Sequence, residues 1–221
     1  MGLLVPDGPF LSQGQRFDPL CVAKLFRIKN FRSAALGYFG HMWELYTFWA
    51  FIPFIIARTS AGVLMHPSLL AFLVIGVGAF GCILGGYASG RWGSHRIAFI
   101  QLSISGLCCL ISPLLFGTGA GMVLAILIIW GITVVGDSPQ FSTLVARAAP
   151  AHLVGSGLTI VNSIGFAVTI VSIQIMGWLT SQFESNFVFL ILLVGPLVGL
   201  FSMRPILRDP TGTDQTEVTV C

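Results

Sequence analysis

Long apolar runs separated by short polar breaks make up most of this 221-residue chain, near positions 33–57, 67–88, 97–116, 121–145, 154–180 and 187–205. A helix needs about 20 predominantly apolar residues to cross a hydrocarbon layer roughly 30 Å thick, and these runs have that length. They are continuously apolar instead of alternating, which points away from barrel strands. Backbone groups find no water inside lipid, so internally bonded helices are the structure left to them. The breaks fall at Arg58–Gly62, Gly86–Arg96, Gly117–Gly121, Arg147–His152 and Ser181–Asn186. The pattern predicts an all-α membrane protein in three parts. Residues 1–30 form a cytoplasmic N-terminal segment, 31–207 a bundle of six transmembrane helices, and 208–221 a disordered cytoplasmic tail.

Composition agrees with this. Hydrophobic residues make up 55% of the chain, charged residues 9%, and the mean hydropathy is +0.92. A soluble domain carries about 25% charged residues, so that class is excluded. The apolar run Gly2–Val5 is too short for a secretory signal and is broken by Pro6, Asp7 and Gly8.

Cytoplasmic loops of membrane proteins collect Lys and Arg, which gives the chain an orientation. One side gathers Arg16, Lys24, Arg27, Lys29, Arg32, Arg91, Arg96, Arg147, Arg204 and Arg208, and the other has Arg58. Both termini are therefore expected in the cytoplasm, with the bundle in a plasma membrane of the bacterial inner-membrane kind. The net charge of +3 reports this topology. The lipid bilayer is the expected partner and nucleic acid is not. From Lys24 to Arg32 basic residues interleave with Leu25, Phe26, Ile28 and Phe31. That suits either a tether lying on an anionic leaflet or a solvated basic flank that fixes topology.

The five cysteines, Cys21, Cys82, Cys108, Cys109 and Cys221, lack metal-ligand spacing. Adjacent helical residues diverge around the axis, so Cys108 and Cys109 read as small packing residues. No disulfide, metal or cofactor is expected. No serine, cysteine or histidine constellation has catalytic spacing either, so an enzyme is not expected.

The informative residues are polar ones at lipid depth. Glu44 falls near the middle of the first run, where an ionised carboxylate costs about 2.5–3.5 kcal/mol on translocon-based scales. His41 lies three residues earlier on the same helical face, with Gly37, Phe48 and Phe51. A carboxyl group beside an imidazole can take up and pass on a proton. A second carboxylate, Asp137, shares a stripe with Trp130, Thr133, Gln140 and Leu144, and that face should look inward. Pro139 removes a backbone donor there and should bend the helix. In the fifth run Gly155, Thr159, Asn162, Phe166 and Thr169 share a narrow, mildly polar face. Glu44, His41, Asp137, Gln140 and Asn162 are therefore candidates for substrate binding or proton coupling. The alternative for each is internal hydrogen bonding that only fixes helix packing. Tyr38, Trp43, Tyr46 and Trp49 suit an aromatic pocket or an interfacial belt. Gly78, Cys82, Gly85 and Gly86 are read as a close-packing seam.

The runs also divide into two triplets. Each opens with an acid-bearing helix, continues with a Gly-containing one, and ends with an apolar helix carrying Pro113 or Pro196. Nested triplets of opposite orientation occur in transporter halves.

The segment Gly86, Tyr87, Ala88, Ser89, Gly90, Arg91, Trp92, Gly93, Ser94, His95, Arg96 resembles the cytoplasmic loop signature of the major facilitator superfamily. Gly86, Arg91, Gly93, His95 and Arg96 match it. Gly90 stands at the position of its aspartate and Ser94 at a basic one, which removes the basis for a charge-relay gate. The segments Gly37–Tyr46 and Gly136–Ser142 resemble bacterial permeases of this superfamily. The resemblance covers roughly residues 24–207 and suits a C-terminal six-helix half, with residues 1–30 as the remnant of the inter-half linker. It implies alternating access around a midplane site, moving a small-molecule substrate with the proton as coupling ion. A complete transporter of this type has two such bundles. The chain is therefore expected to be a fragment, a subunit completed by a complementary six-helix half, or a homodimer. The competing class is a non-transporting membrane anchor or assembly subunit.

Overall fold

The computed structural model describes residues 24–208, and among them every regular element is helical. These are α1 (Lys29–Ala57), α2 (Pro67–Gly76), α3 (Gly78–Trp92), α4 (Ser94–Ile111), α5 (Ala120–Gly136), α6 (Ser138–Ala148), α7 (Val154–Gln182), α8 (Val194–Ser202) and α9 (Arg204–Arg208). Short 3-10 stretches extend several of them, and the longest, Asn186–Leu193, leads into α8. The expectations for residues 1–23 and 209–221, including Arg16, Cys21, Cys221 and most of the N-terminal segment, lie outside the described residues.

Four rods are long and apolar enough to cross a membrane: Pro67–Trp92, Ser94–Gly117, Ala120–Ala148 and Ala151–Gln182. Of the two remaining expected spans, α1 has ample length at 29 residues. Its polar and aromatic content makes it less apolar. Asn186–Ser202 is apolar but shorter. Outward faces suit lipid, with Leu69, Phe72, Leu73, Phe80, Ile83 and Leu84 exposed along α2 and α3.

The break expected over Gly86–Arg96 is much tighter than a loop. Helix α3 continues to Trp92 and α4 starts at Ser94, so Gly93 alone turns the chain. It does so at φ 84° and ψ 143°, a conformation that a Cβ makes costly. At the N-terminal end, Leu25 and Phe31 are fully buried and pack beside Gly157 of α7. Arg27, Lys29 and Arg32 point outward. Two of the four apolar residues of this segment are thus spent on the bundle, while Phe26 and Ile28 stay half-buried.

Helix α1 is the centre of the bundle, packing against α2, α6, α7 and α8. Small residues permit its closest approach. A Cβ on Gly40 would run into the carbonyl of Gly195, and one on Gly195 into the carbonyl of Gly40. The seam between α3 and α5 works the same way, because a Cβ on Gly81 would meet the Ile132 carbonyl and one on Gly78 would lie 2.6 Å from Val135 Cγ2. Gly78, Cys82 and Gly85 do face this seam. Gly86 faces open space.

The interior is layered. One apolar cluster contains Leu45, Phe48, Ile52, Cys109, Leu127, Val134 and Met176. The other contains Phe31, Tyr38, Met42, Leu102, Phe141 and Val161. On α1, α4, α5 with α6, and α7, the chain passes from one cluster to the other through buried polar residues. The fold thus sets a polar cross-section between two apolar ones.

Gly40→Leu should disrupt the α1–α8 crossing, with overpacking costing at least about 1–3 kcal/mol. Gly86→Ala should be tolerated. Thermal melts of both variants in detergent test this, and equal melting points would refute the crossing. Gly93→Ala should cost about 1–3 kcal/mol because the backbone conformation there is essentially restricted to glycine. The same melts read that loss.

Candidate functional site

On α1, Gly37, His41, Glu44 and Phe48 form one stripe at helical spacing and meet Phe141, Asp137 and Trp130 in the reverse chain order. The two acid-bearing helices therefore run antiparallel, and their carboxyl groups fall into the same polar layer. His41, Glu44 and Asp137 are all fully buried. The inward face expected from Trp130, Thr133, Asp137, Gln140 and Leu144 is observed, since all five are buried.

Glu44 is held from two other helices. Trp130 of α5 donates its Nε1–H to Oε1 at 2.6 Å. Cys109 of α4 donates from Sγ to the same oxygen at 3.2 Å, and Ser105 donates from Oγ to Oε2 at 3.0 Å. An indole N–H can only donate, so the direction of the shortest of these bonds is fixed. The Trp130 ring also packs on Phe48, with centroids 4.5 Å apart. Reading Cys109 as a small packing residue was incomplete, because its thiol is one of three donors to a buried carboxyl group. The stripe containing Trp130 signalled its inward face. Nothing in the spacing of Ser105 and Cys109 paired them with Glu44.

Asp137 occupies the break between α5 and α6. Pro139 has no N–H to give the Val135 carbonyl, its partner in a continuous helix. That carbonyl instead accepts from the Asp137 backbone N–H and, at 3.6 Å, from Cys82 Sγ of α3. His41 Nδ1 lies 2.9 Å from Asp137 Oδ1. This is the separation of a charge-assisted contact, although the ring N–H is not aimed well enough to count as a hydrogen bond. The imidazole stacks on Phe141 at 5.9 Å and sits 5.8 Å from the Tyr38 ring. His41 Nε2 and Oε1 of the buried Gln101 have no hydrogen-bond partner among the described residues, and Asp137 Oδ2 has no side-chain partner, the backbone N–H groups of Asp137 and Ser138 being the donors beside that carboxylate.

Gln140 is buried one turn beyond Asp137. Asn162 lies apart from this group. The face of α7 predicted to be polar divides, with Gly155, Thr159, Asn162 and Phe166 exposed and Thr169 turned into the bundle. Thr169 donates to the Met42 carbonyl at 3.1 Å, and Ser172 bonds Thr47 at 2.6 Å, joining α7 to α1. Of the aromatic residues on α1, Tyr46 packs on Trp49 and on Phe166, while Trp43 donates to the Ile191 carbonyl at 3.0 Å. In the segment Gly86–Arg96, Gly86, Gly90 and Arg91 belong to α3, Gly93 makes the turn, and Arg96 lies in the first turn of α4, with both arginines exposed.

These features describe a multi-pass membrane protein with ionisable groups sealed inside its helix bundle. A comparison with known proteins gives the same direction. The chain is similar to a transporter. It is 30% identical over 113 residues to the probable galactarate/D-glucarate transporter of Escherichia coli strain K12, an alignment covering 49% of this chain. The chain spans 25% of that relative's length. No protein-family model matches the sequence. The all-helical architecture is compatible with a half-bundle of the major facilitator type.

Trp130→Phe keeps the ring on Phe48 and removes the donor to Glu44, so it should destabilise the bundle by about 1–3 kcal/mol, the range for stranding a buried polar group. Equilibrium unfolding in mixed detergent micelles measures this, and an unchanged midpoint would show that the bond contributes nothing.

Proposed function

We propose that this chain is one six-helix bundle of a secondary transporter of the major facilitator type, moving a small solute by alternating access in exchange for, or together with, protons. The observation that carries the reading is the meeting of Glu44, His41 and Asp137 in the polar layer of a bundle whose outer faces suit lipid. Ionisable groups at that depth are expensive and in membrane proteins mark ion and substrate pathways. The similarity to a transporter supports the same reading. Neither the site nor the similarity calls for enzymatic chemistry.

Within this proposal the solute path runs along the outward polar face of α7. Thr159, Asn162, Ser163 and Gln174 are exposed on one broad side of that helix, interspersed with the exposed Phe166 and Ile170, so that side is mixed where the surfaces of α2 and α3 are apolar. Amide groups facing hydrocarbon would lose their water partners without replacement. They are better accommodated against a water-filled path closed by a complementary six-helix half or a second copy. Asn162 is then a direct solute contact. Gln140 and Asp137 are buried behind the wall and act from within the bundle. Both termini lie on the cytoplasmic side of a plasma membrane.

The relative's name makes hydroxylated dicarboxylates such as galactarate and D-glucarate the first substrates to test. Lys and Arg stay at the ends of the rods, so a positive charge for such an anion would come from the opposite bundle. A second reading rests on the saturation of Glu44 by three donors: buried acids that only join helices would suit a membrane anchor or assembly subunit.

Proteoliposomes containing the chain assembled with its complementary half, or as a purified homodimer, should accumulate labelled D-glucarate or galactarate under an inwardly directed proton gradient and lose that uptake when a protonophore is added. Asn162→Ala should reduce uptake by about tenfold, equivalent to about 1.4 kcal/mol. Absence of uptake for these two and for a panel of neutral and cationic solutes would favour the anchor.

A further inference from the structure

The buried acids differ in one respect that separates their roles. Both oxygens of the Glu44 carboxyl group have side-chain partners, Oε1 in Trp130 and Cys109 and Oε2 in Ser105, whose single hydroxyl proton is shared with the Leu102 carbonyl. The donors come from α4 and α5, so the group ties three helices together. A proton arriving at Oε1 would compete with an indole that cannot turn around and accept. Asp137 and His41 are also fully buried, yet no side chain bonds Oδ2 of the one or Nε2 of the other, and the Asp137 carboxylate has only His41 and the backbone N–H groups of Asp137 and Ser138 beside it. Unpaired polar atoms in the interior cost free energy, and native proteins keep few of them. This pair thus has both a short internal contact, 2.9 Å between Nδ1 and Oδ1, and free positions for another proton.

We propose that the His41–Asp137 pair is the exchangeable-proton site of this chain and that Glu44 serves to hold α1 against α4 and α5. The inference deepens the proton-coupled reading above and rests on it for its biological meaning. The step is a proton transfer alone. Neutral His41 and ionised Asp137 together carry one negative charge. A proton taken from water binds the pair, at the imidazole or at the carboxylate, and leaves it neutral overall. Release to water reverses the step.

Few other ionisable groups face the pair. On α1 these are Tyr38, in ring contact with His41, and Glu44, which is within electrostatic reach of Asp137. On α3 there is Cys82, also within reach of Asp137. The thiols of α4, Cys108 and Cys109, face Glu44. The neighbouring faces of α6, α7 and α8 present no ionisable side chain in the interior among the described residues. Asp137 also stands where the helical rod is interrupted by Pro139, so the charge of the pair acts between α1 and the joint of α5 with α6. Protonation at the imidazole gives an ion pair that draws α1 to that joint. Loss of the proton leaves a carboxylate facing a neutral ring, and the attraction falls.

The test is infrared difference spectroscopy of the whole chain in lipid nanodiscs, recorded on acidification and reading the carboxyl and imidazole bands. The wild-type response should be lost in Asp137→Asn and in His41→Gln and retained in Glu44→Gln. Circular dichroism and size exclusion identify variants that fail to fold, and either member of the pair suffices if the other does fail. A response that disappears only in Glu44→Gln would overturn the assignment. A response unchanged by all three substitutions, or none at any pH, would overturn it too. Solute uptake is read from the same protein in proteoliposomes. Correct band changes without uptake, even when the chain is paired with its complementary half or with a second copy, would leave the proton site standing and remove the transport reading, whereas uptake with the wrong band pattern would do the reverse.

Discussion

A carboxyl group inside a hydrocarbon layer must find its hydrogen bonds within the protein, and it must find them in three dimensions. Glu44 obtains them from α4 and α5, across two helix interfaces at once. That requirement fixes the rotation of α1 about its axis, since turning Glu44 outward would place it against lipid. Once α1 is fixed, His41 faces Asp137 one turn along, and Thr47 faces Ser172 on the far side. The polar layer is consequently a set of mutual constraints, bounded above and below by apolar side chains that keep water from satisfying its members individually.

Close approach makes those short bonds possible. With lipid on the outside, helix association gains little from the hydrophobic effect and depends on packing and interhelical hydrogen bonds. Gly40 against Gly195, and Gly81 against Ile132, bring backbones near enough for the polar side chains between them to reach. The glycines and the polar layer therefore belong to one design. Gln101 shows the connection directly, since its Nε2 donates to the Gly81 carbonyl at 3.3 Å in the crowded space beside Gly136.

Much of this is legible in the residues. Run lengths and polar breaks indicate the helices, and the spacing of His41 with Glu44 and of Trp130 with Asp137 identifies the faces that turn inward. The period of one helix says nothing about which face of another it meets. Ser105 and Cys109 look like ordinary small residues until α4 is laid beside α1. Gly81 and Gly195 likewise become special only through the carbonyl opposite. At Gly86–Arg96 glycine content suggests a loop, whereas helical hydrogen bonding continues through Gly90 and leaves one residue to make the turn. The exposed polar side of α7 was visible as a stripe, but Thr169 at its end faces the protein, because 29 helical residues rotate any stripe relative to a neighbouring helix.

The last apolar rod carries a geometric consequence. Wound throughout as an α-helix, Asn186–Ser202 would reach about 25 Å, short of a hydrocarbon core roughly 30 Å thick. Its first eight residues are instead 3-10 helix, which rises about 2.0 Å per residue against about 1.5 Å. Eight residues at the larger rise and the nine of α8 at the smaller together give about 29–30 Å. Tightening the coil thus lengthens the segment by about one-sixth without adding a residue. A stretch that counting would dismiss as too short has the reach of a full membrane crossing.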